Sequence, residues 1–266
     1  MFSDLEFDGD LDFDFDGYSM EPDLYLDVPY VPTDEKVVEA MLDFAYVGRK
    51  DVLYDLGCGD GRIVVAAALN RSTRGVGVDM DPARIADAME YAGDTGVEYL
   101  VDFVEGDLLT ADFSEATVVT LYLLDSVNVE LRPRLLSELR PGARIVSHAF
   151  NMGDWKADEQ LNFSGVRLYK WIVPAAVAGS WHWQGTDGKE YRVELKQKYQ
   201  QVTGKAWVEG RPAKLQSALL QGALLELVIQ ENDAAAADSF VMRFEDDQLV
   251  AAESSKQAAP AKRVAA

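Results

Sequence analysis

Asp51-Val-Leu-Tyr-Asp-Leu-Gly-Cys-Gly-Asp-Gly-Arg-Ile-Val-Val-Ala-Ala-Ala68 is the stretch of sequence that decides the fold. Residues 52–56 form a short apolar run with an acid near its end, which predicts one buried strand. Gly57, Gly59 and Gly61 then alternate through a turn, where missing side chains permit unusual backbone angles and close approach of a ligand. Residues 62–69 are apolar and rich in alanine, which predicts a helix. A strand, a glycine turn and a helix N-terminus predict a nucleotide cradle with free backbone N–H groups directed at the bound molecule.

The spacing of the glycines distinguishes between classes of nucleotide. A dinucleotide site uses G-x-G-x-x-G, whereas these glycines follow G-x-G-x-G and Arg62 stands where the third glycine would be. Asp55 lies just before the turn, where its charge would repel a pyrophosphate and attract an ammonium group. Both features favour S-adenosylmethionine, whose amino-acid part carries a positive amine, over a nicotinamide dinucleotide.

Length and composition exclude several classes of protein. The chain has 266 residues, 48% of them hydrophobic, which is enough for one α/β domain with an addition or for two small domains. No apolar run approaches the ~18 residues of a membrane helix, and the N-terminus lacks the features of a secretory signal. With Cys58 as the single cysteine and two histidines in all, neither a disulfide nor a metal site is predicted. We therefore expect a cytoplasmic protein without a membrane segment.

The net charge of −21 bears on the partner. Nucleic-acid binding needs clustered Lys and Arg to contact phosphates, so a nucleic-acid substrate is not expected. A cationic substrate, such as a protein segment that bears lysine, is compatible with this charge. Within residues 1–27 acids alternate with aromatic residues and no Lys or Arg occurs, which predicts a disordered tail.

Polar residues follow each strand that the sequence predicts after the glycine turn. Asp79 ends the second strand about 20 residues beyond the turn, where nucleotide-binding folds place a carboxylate on the ribose hydroxyls. Asp107 follows the third strand and is a candidate for contact with the adenine amino group. Asp125 and Asn128 follow the fourth strand, and His148 ends the fifth. This alternation predicts a parallel sheet with helices on both faces and a ligand at the carboxyl ends of the strands.

The two ends of this α/β region differ in character. The segment 28–33 contains two prolines, and Thr33 is placed to cap the following helix. Beyond about residue 165 short strand-like runs are separated by turn signals, which predicts an antiparallel β module that is partly a sheet extension and partly a small barrel. The predicted organisation is a tail at 1–27, an α/β domain at 28–164, the β module at 165–250 and a disordered tail at 251–266.

Several motifs together resemble those of a known family. Residues 55–61, then Asp79, then Glu105-Gly-Asp107 are similar to the successive motifs of class I S-adenosylmethionine-dependent methyltransferases, over roughly residues 29–155. Val28-Pro-Tyr-Val-Pro-Thr33 ahead of them resembles a narrower group: bacterial relatives of the mitochondrial lysine methyltransferases that modify the ATP synthase c-subunit and the adenine nucleotide translocase. Segments 121–128 and 146–155 are similar to the same group. The resemblance implies a Rossmann-like methyltransferase fold and N-methylation of a protein lysine.

Candidate site residues follow from these positions and from the resemblance. The cofactor-binding candidates are Tyr30, Thr33, Asp55, Gly57, Cys58, Gly59, Gly61, Asp79, Met80, Asp107, Leu108 and Tyr122. The candidates for contact with the reacting substrate are Asp125, Asn128 and His148. Methyl transfer from a sulfonium mainly requires in-line alignment and exclusion of water, so few catalytic side chains are expected and no metal.

Two other classes of function remain open on the sequence alone. One is a small-molecule methyltransferase in which the β module forms the acceptor pocket. The other is a non-catalytic binding protein that retains the cofactor fold.

Overall fold

The structure is a computed structural model that describes residues 30–252 and 255–264. The predicted acidic tail at 1–27 lies outside these residues. In the described part of the chain no helix is long and apolar enough to cross a membrane.

The helices within the described residues are α1 (Glu35–Phe44), α2 (Arg62–Arg71), α3 (Pro82–Thr95) and α4 (Asp125–Glu138). The strands of the first half are β1 (Val52–Leu56), β2 (Arg74–Asp79), β3 (Val101–Glu105), β4 (Val118–Leu121), β5 (Arg144–His148), β6 (Glu159–Phe163) and β7 (Val166–Ile172). The strands of the second half are β8 (Gly179–Gln184), β9 (Glu190–Lys198), β10 (Gln201–Val208), β11 (Arg211–Gln221), β12 (Leu224–Gln230), β13 (Asp238–Glu245), β14 (Gln248–Ala251) and β15 (Lys262–Val264).

The first sheet has the strand order β3-β2-β1-β4-β5-β7-β6. The first five strands in this order are parallel, β7 runs antiparallel to its neighbour β5, and β6 pairs antiparallel with β7. Every residue of β4 is buried because helices cover both faces of the sheet. The strand order reverses between β1 and β4, and this reversal opens a crevice at their carboxyl ends. The predicted Rossmann-like α/β architecture is confirmed.

Helix α1 begins one residue later than its sequence predicts. Asp34, not Thr33, is the N-cap, and its side chain accepts a hydrogen bond from the N–H of Lys36 at 2.9 Å. The prediction that Thr33 caps this helix was wrong, because its hydroxyl lies against His148 at the end of β5, 3.2 Å from the ring nitrogen Nδ1.

The first sheet extends further along the chain than the predicted domain boundary at 164/165. Strand β7 pairs with β5: Arg144 lies opposite Ile172 at one end of the pairing, and His148 lies opposite Leu168 at the other. Residues 166–172 therefore belong to the α/β part. The reason is packing: Leu168 and Trp171 are fully buried in the core of the first sheet. The change to the second sheet therefore falls between Ile172 and Gly179.

The second sheet is antiparallel, with the strand order β14-β13-β12-β11-β10-β9-β8-β15. Burial alternates along β9, which indicates one face on a core and one in solvent. Aromatic side chains dominate that core, including Trp181, Trp183, Tyr191 and Phe240. A bridge between Leu249 and Ala261 brings the two edges of the sheet together, so that the sheet is nearly closed.

For residues 255–264, which the structure describes, this closure corrects the prediction that 251–266 is a disordered tail. Residues 262–264 form β15 and pair with β8, and Ala261 is fully buried. The alanine-rich composition suggested a tail, but the pairing covers an edge of β8 that would otherwise expose unpaired N–H and C=O groups.

Candidate active site

A cleft opens at the carboxyl ends of β1, β2 and β4. Its lining comes from the glycine turn after β1, from the residues that follow β2, β3 and β4, and from the entry segment 30–33. The cofactor-binding candidates that border it are Tyr30, Thr33, Asp55, Gly57, Cys58, Gly59, Asp79, Met80, Asp107, Leu108 and Tyr122. Gly61 is not among the lining residues; it is the N-cap of α2. The structure thus brings residues from five separate segments to one cleft.

The glycine turn has no room for side chains. Gly57, Gly59 and Gly61 have φ angles of +84°, +53° and +73°, a region that side chains make costly. A Cβ on Gly59 would lie 2.5 Å from the ring of Tyr30, and one on Gly57 would lie 2.8 Å from Leu123. The turn therefore fits directly against both walls of the cleft.

The sequence predicted that the backbone N–H groups of the turn are free to bind a ligand, but four of them are bonded within the protein. Those of Gly57 and Cys58 both donate to the carbonyl of Val78, at 2.8 and 3.0 Å, and that of Gly61 donates to the carbonyl of Cys58 at 3.0 Å. The N–H of Gly59 donates to Asp79. Because these N–H groups donate to Val78, Cys58 and Asp79, they are not available to bind a phosphate. The turn instead contributes the space that its glycines leave open for a ligand.

Asp79 is held in place by the backbone. Its Oδ2 accepts a hydrogen bond from the N–H of Gly59 at 2.8 Å, and its Oδ1 accepts one from the N–H of Asp81 at 3.0 Å. Each carboxylate oxygen has more than one acceptor site, so both oxygens can still accept a bond from a ligand. A fixed carboxylate at the end of β2 is suited to bind a pair of neighbouring hydroxyls.

Asp55 is a buried carboxyl group beneath the turn. Its Oδ1 accepts a hydrogen bond from the hydroxyl of Thr120 at 2.7 Å. Burial raises the pKa of Asp55 to about 7, and the charges of Asp79 and Asp60 act in the same direction. Burial also raises the pKa of the Cys58 thiol, so the thiol stays protonated and is not a nucleophile.

The mouth of the cleft holds a cluster that sequence reasoning missed. Arg62 donates to Asp60 through Nε at 2.9 Å and to the carbonyl of Thr33 through Nη1 at 2.8 Å. The guanidinium of Arg84 lies 4.9 Å from the centre of the Tyr30 ring. Burial opposes ionisation of Asp60, but its bonds to Arg62 hold its pKa below the usual value. The available signal was an Asp–x–Arg pair inside the glycine turn.

The charge of the cleft discriminates between ligands. The acids that line it are Asp55, Asp60, Asp79, Asp81 and Asp107. The arginines that line it are Arg62 and Arg84, and both lie against aspartates. A cleft with more acids than bases and few free N–H donors disfavours a pyrophosphate and favours a cation.

His148 does not border the cleft; it supports a residue that does. Its ring stacks on that of Tyr122, with centroids 3.8 Å apart, and its Nδ1 lies 3.2 Å from the hydroxyl of Thr33. Burial lowers the pKa of His148, so the ring is neutral near pH 7. The histidine thus joins the entry segment to the strand end after β4.

Asn128 and Asp125 differ from their predicted roles as substrate contacts. Asn128 is fully buried, and its Nδ2 donates to the carbonyl of Asn151 at 3.3 Å and to Ser147 at 3.4 Å. The helical repeat explains this, since positions 128, 131 and 135 share the buried face of α4. Asp125 is exposed and accepts a hydrogen bond from the N–H of Asn151 at 2.7 Å. Both side chains hold the loop after β5, and neither lines the cleft.

S-adenosylmethionine fits these residues by shape and by charge. The space that glycine leaves, the fixed Asp79 and the acidic lining suit its ribose and its two positive groups. The fold and the cleft together are those of a Rossmann-like methyltransferase.

Comparison with known proteins agrees with this class. The family model for the ANTKMT methyltransferase domain matches residues 55–159. A protein-lysine N-methyltransferase of Saccharolobus islandicus (strain REY15A) is 47% identical over 133 residues, which span 50% of this chain and 83% of that protein. The adenine nucleotide translocase lysine N-methyltransferase of Mus musculus is 34% identical over 133 residues, 50% of this chain and 58% of that protein.

A solved structure is similar over the same region. The crystal structure of a Salinibacter ruber protein, described as an RNA methyltransferase in complex with S-adenosyl-L-homocysteine, shares 51% identity and a TM-score of 0.55. The match covers 55% of this chain and 96% of that one. The chain belongs to the ANTKMT methyltransferase family, and it is an S-adenosylmethionine-dependent methyltransferase.

Proposed function

We propose that this protein transfers methyl groups from S-adenosylmethionine to lysine side chains of a protein. The observation that carries the proposal is the 47% identity to the protein-lysine N-methyltransferase of Saccharolobus islandicus, 83% of which is covered. The mouse relative is also named for a lysine acceptor. The acidic lining of the cleft supports a substrate whose side chain approaches as a cation.

The cofactor would be held by residues from three strand ends and from the entry segment. We assign the ribose hydroxyls to Asp79, the adenine amino group to Asp107, and the methionine end to Asp55 and the entry residues Tyr30 and Thr33. The order of strands supports this assignment, because Asp79 and Asp107 follow β2 and β3 on one side of β1. The other end of the cofactor then lies over β1 and β4.

Methyl transfer requires few catalytic side chains from the protein. When bound, S-adenosylmethionine supplies an electrophilic methyl group on a positively charged sulfur. The acceptor amine must be neutral to attack it, and desolvation favours the neutral form of a lysine. Leu123 and Val127 give the β4 side of the cleft an apolar wall, which excludes water there. Tyr122, fixed by its stacking on His148, gives the same side a rigid aromatic surface.

The test is transfer of labelled methyl groups from S-adenosylmethionine to lysate proteins. We expect wild type to label a protein band, with the label recovered as methyllysine after acid hydrolysis. The variant Asp79→Ala should not label it, because ribose anchoring is lost. Label found only in the small-molecule fraction would favour a metabolite acceptor. Binding of S-adenosylhomocysteine without any transfer would indicate a non-catalytic protein.

A second candidate acceptor is RNA, because the Salinibacter ruber protein at 51% identity is described as an RNA methyltransferase. The charge distribution favours protein: the net charge is −21, and both arginines of the cleft lie against aspartates. Treating the labelled lysate with ribonuclease or with protease separates the two acceptors. Label that is lost with ribonuclease and kept with protease would replace the lysine proposal. The cytoplasmic location stays a prediction.

A further inference from the structure

One contact between the second sheet and the first is made by the tip of the β9–β10 hairpin. This tip, the end of β9 and the two residues that connect it to β10 (198–200), is here called the hairpin tip. It meets residues 149–158, the loop that follows β5 and is here called the β5 loop. Trp155 of this loop stacks against Tyr199 of the tip, with ring centroids 5.8 Å apart. Tyr199 has a φ of +54°, which the tight turn of the tip imposes.

Gln200 connects three groups of the β5 loop. Its Oε1 accepts a hydrogen bond from the indole N–H of Trp155 at 3.0 Å. Its Nε2 donates to the carbonyl of Lys156 at 2.8 Å and to the carboxylate of Asp158 at 3.2 Å. One side-chain amide thus uses both its acceptor and its donors on a single loop.

Asp154 is the second point of attachment. It accepts a hydrogen bond from the hydroxyl of Tyr199 at 2.8 Å, and the ammonium of Lys198 lies 2.8 Å from its other oxygen. Arg132 of α4 donates to the same carboxylate at 2.7 Å. The bonds from Lys198 and Tyr199 lower the pKa of Asp154 to about 2, so the cluster stays charged across the physiological range.

The β5 loop in turn holds the helix that borders the cleft. Asn151 donates its N–H to Asp125 and its carbonyl accepts from Asn128, both on the first turns of α4. Arg132, one turn further on, donates to the carbonyl of Met152 at 2.8 Å. The same first turn carries Val127, which lines the cleft. A continuous set of contacts therefore runs from the hairpin tip to the β4 side of the cleft.

The β4 side is where the acceptor would approach. Asp79 and Asp107 assign the adenosine to the β2 and β3 side, which leaves the reacting end of the cofactor over β1 and β4. The family match ends at residue 159, so the hairpin tip comes from a part of the chain outside the matched domain. In this protein an added sheet contacts the loop next to the acceptor side.

We propose that the hairpin tip positions the β5 loop for acceptor binding, with Tyr199 and Gln200 as positioning residues for methyl transfer. The inference about the acceptor rests on the proposed function, whereas the ordering of the loop does not. Neither residue touches the cleft, so cofactor affinity should not depend on them.

Hydrogen exchange of the β5 loop tests the ordering directly. The amides of Asn151, Gly153 and Trp155 are each hydrogen-bonded within the loop or to α4. In Gln200→Ala and in Tyr199→Phe we expect their exchange to be roughly tenfold faster than in wild type, since bonds that hold the loop are lost. The matched control is Gln216→Ala, which removes an exposed glutamine bonded to Gln230 on the second sheet. Its loop amides should exchange at the wild-type rate.

The same hydrogen-exchange measurement can also contradict the proposal. If both tip variants show wild-type exchange in residues 149–158 while the second sheet remains folded, the tip does not order the loop. If Gln200→Ala unfolds the second sheet, Tyr199→Phe decides, because it removes only one hydroxyl. Thermal unfolding of each variant identifies which case applies.

Kinetics then separate positioning from a merely structural role. With a lysine homopolymer as the methyl acceptor, the tip variants should raise the KM for the polymer several-fold and leave the Kd of S-adenosylhomocysteine unchanged. An equal loss of affinity for both ligands would show general destabilisation and contradict the proposal. If wild type does not methylate the polymer or any lysate protein, the lysine function fails, and the exchange result still decides the role of the tip.

Discussion

The carboxylate of Asp79, at the end of β2, accepts a hydrogen bond from the backbone N–H of Gly59 at 2.8 Å. This bond joins the residue predicted to bind the ribose to the turn predicted to lie beneath the cofactor. The second oxygen accepts from the N–H of Asp81 at 3.0 Å, so the carboxylate has a fixed orientation before any ligand binds. Preorganisation of this kind reduces the entropy lost on binding.

Asp79→Ala should weaken binding of S-adenosylhomocysteine about 10- to 100-fold. The variant loses charge-assisted hydrogen bonds to the ligand and the bond that fixes the turn. Isothermal titration calorimetry measures the change. Asp102→Ala is the control, because Asp102 is exposed on β3 and does not line the cleft. An unchanged Kd in Asp79→Ala would remove this residue from the site.

Two glycine-to-alanine substitutions should have opposite effects on stability. At Gly59 φ is +53° and a Cβ would lie 2.5 Å from Tyr30, so Gly59→Ala should lower the free energy of unfolding by about 1–2 kcal/mol. At Gly93, inside α3, nothing lies within 4 Å of a Cβ, so Gly93→Ala should raise it by about 0.5–1 kcal/mol.

Urea unfolding measures both glycine variants. Addition of Tyr30→Ala to Gly59→Ala should recover part of the loss, because the ring is one source of the clash. A Gly59→Ala protein as stable as wild type would show that the turn has more freedom than its geometry indicates.

The buried carboxyl group of Asp55 should make stability depend on pH. Its folded pKa of about 7 lies above the ordinary value of 3.8, so the folded state retains a proton that the unfolded chain releases. The contribution of Asp55 to stability is therefore fully present below pH 4 and is lost as the pH rises to and through 7. Over this range the free energy of unfolding should fall by up to about 4 kcal/mol. Asp55→Asn should remove this dependence. The check is the free energy of unfolding of both proteins at several pH values between 4 and 8, with Asp102→Asn as the control.

The same titration should affect ligand binding. An ionised Asp55 attracts the ammonium group of the cofactor, so the affinity for S-adenosylhomocysteine should rise as pH increases from 6 to 8. Methylthioadenosine lacks that ammonium group and should show no such rise. Parallel pH profiles for the two ligands would place Asp55 away from the methionine end.

Closure of the second sheet depends on a buried alanine. Ala261 is fully buried and bridges to Leu249, whereas Ala251 at the end of β14 is exposed. Ala261→Asp buries a charge without a partner and should destabilise the second sheet by about 3 kcal/mol or more, while Ala251→Asp should change little. Thermal unfolding followed by tryptophan fluorescence includes the signal of Trp181 and Trp183 in the core of this sheet. Equal melting temperatures for the two variants would contradict the closure.

The sequence alone was sufficient for the features that are local in the chain. Gly57 to Gly61 and Asp79 were predicted from spacing, because strand, turn and helix follow one another and each residue type has a local cause. Asn128 was predicted to contact the substrate because its side chain is polar. It precedes Leu131 by three residues and Leu135 by seven, a spacing that indicates the buried face of α4. Helical periodicity could therefore have corrected the prediction of a substrate contact.

Contacts between distant segments were not predictable in this way. The hydroxyl of Thr33 suits a helix cap, and only the approach of His148, 115 residues later, draws it away. The contact of Gln200 with Trp155 likewise depends on how two sheets meet, which no local pattern specifies. Residues 262–264 lack the composition of a strand, and their pairing with β8 comes from the need to cover an edge.

The late position of β15 in the chain has a consequence for synthesis. The first sheet is complete once residue 172 has emerged from the ribosome, whereas the second sheet cannot close until residues 261–264 have followed. At roughly 5–20 residues per second, several seconds separate the two events. During this interval the cleft can form while the hairpin tip is still being made or is unsupported. The cofactor site can therefore form before the segment that we propose to order the acceptor side is in place.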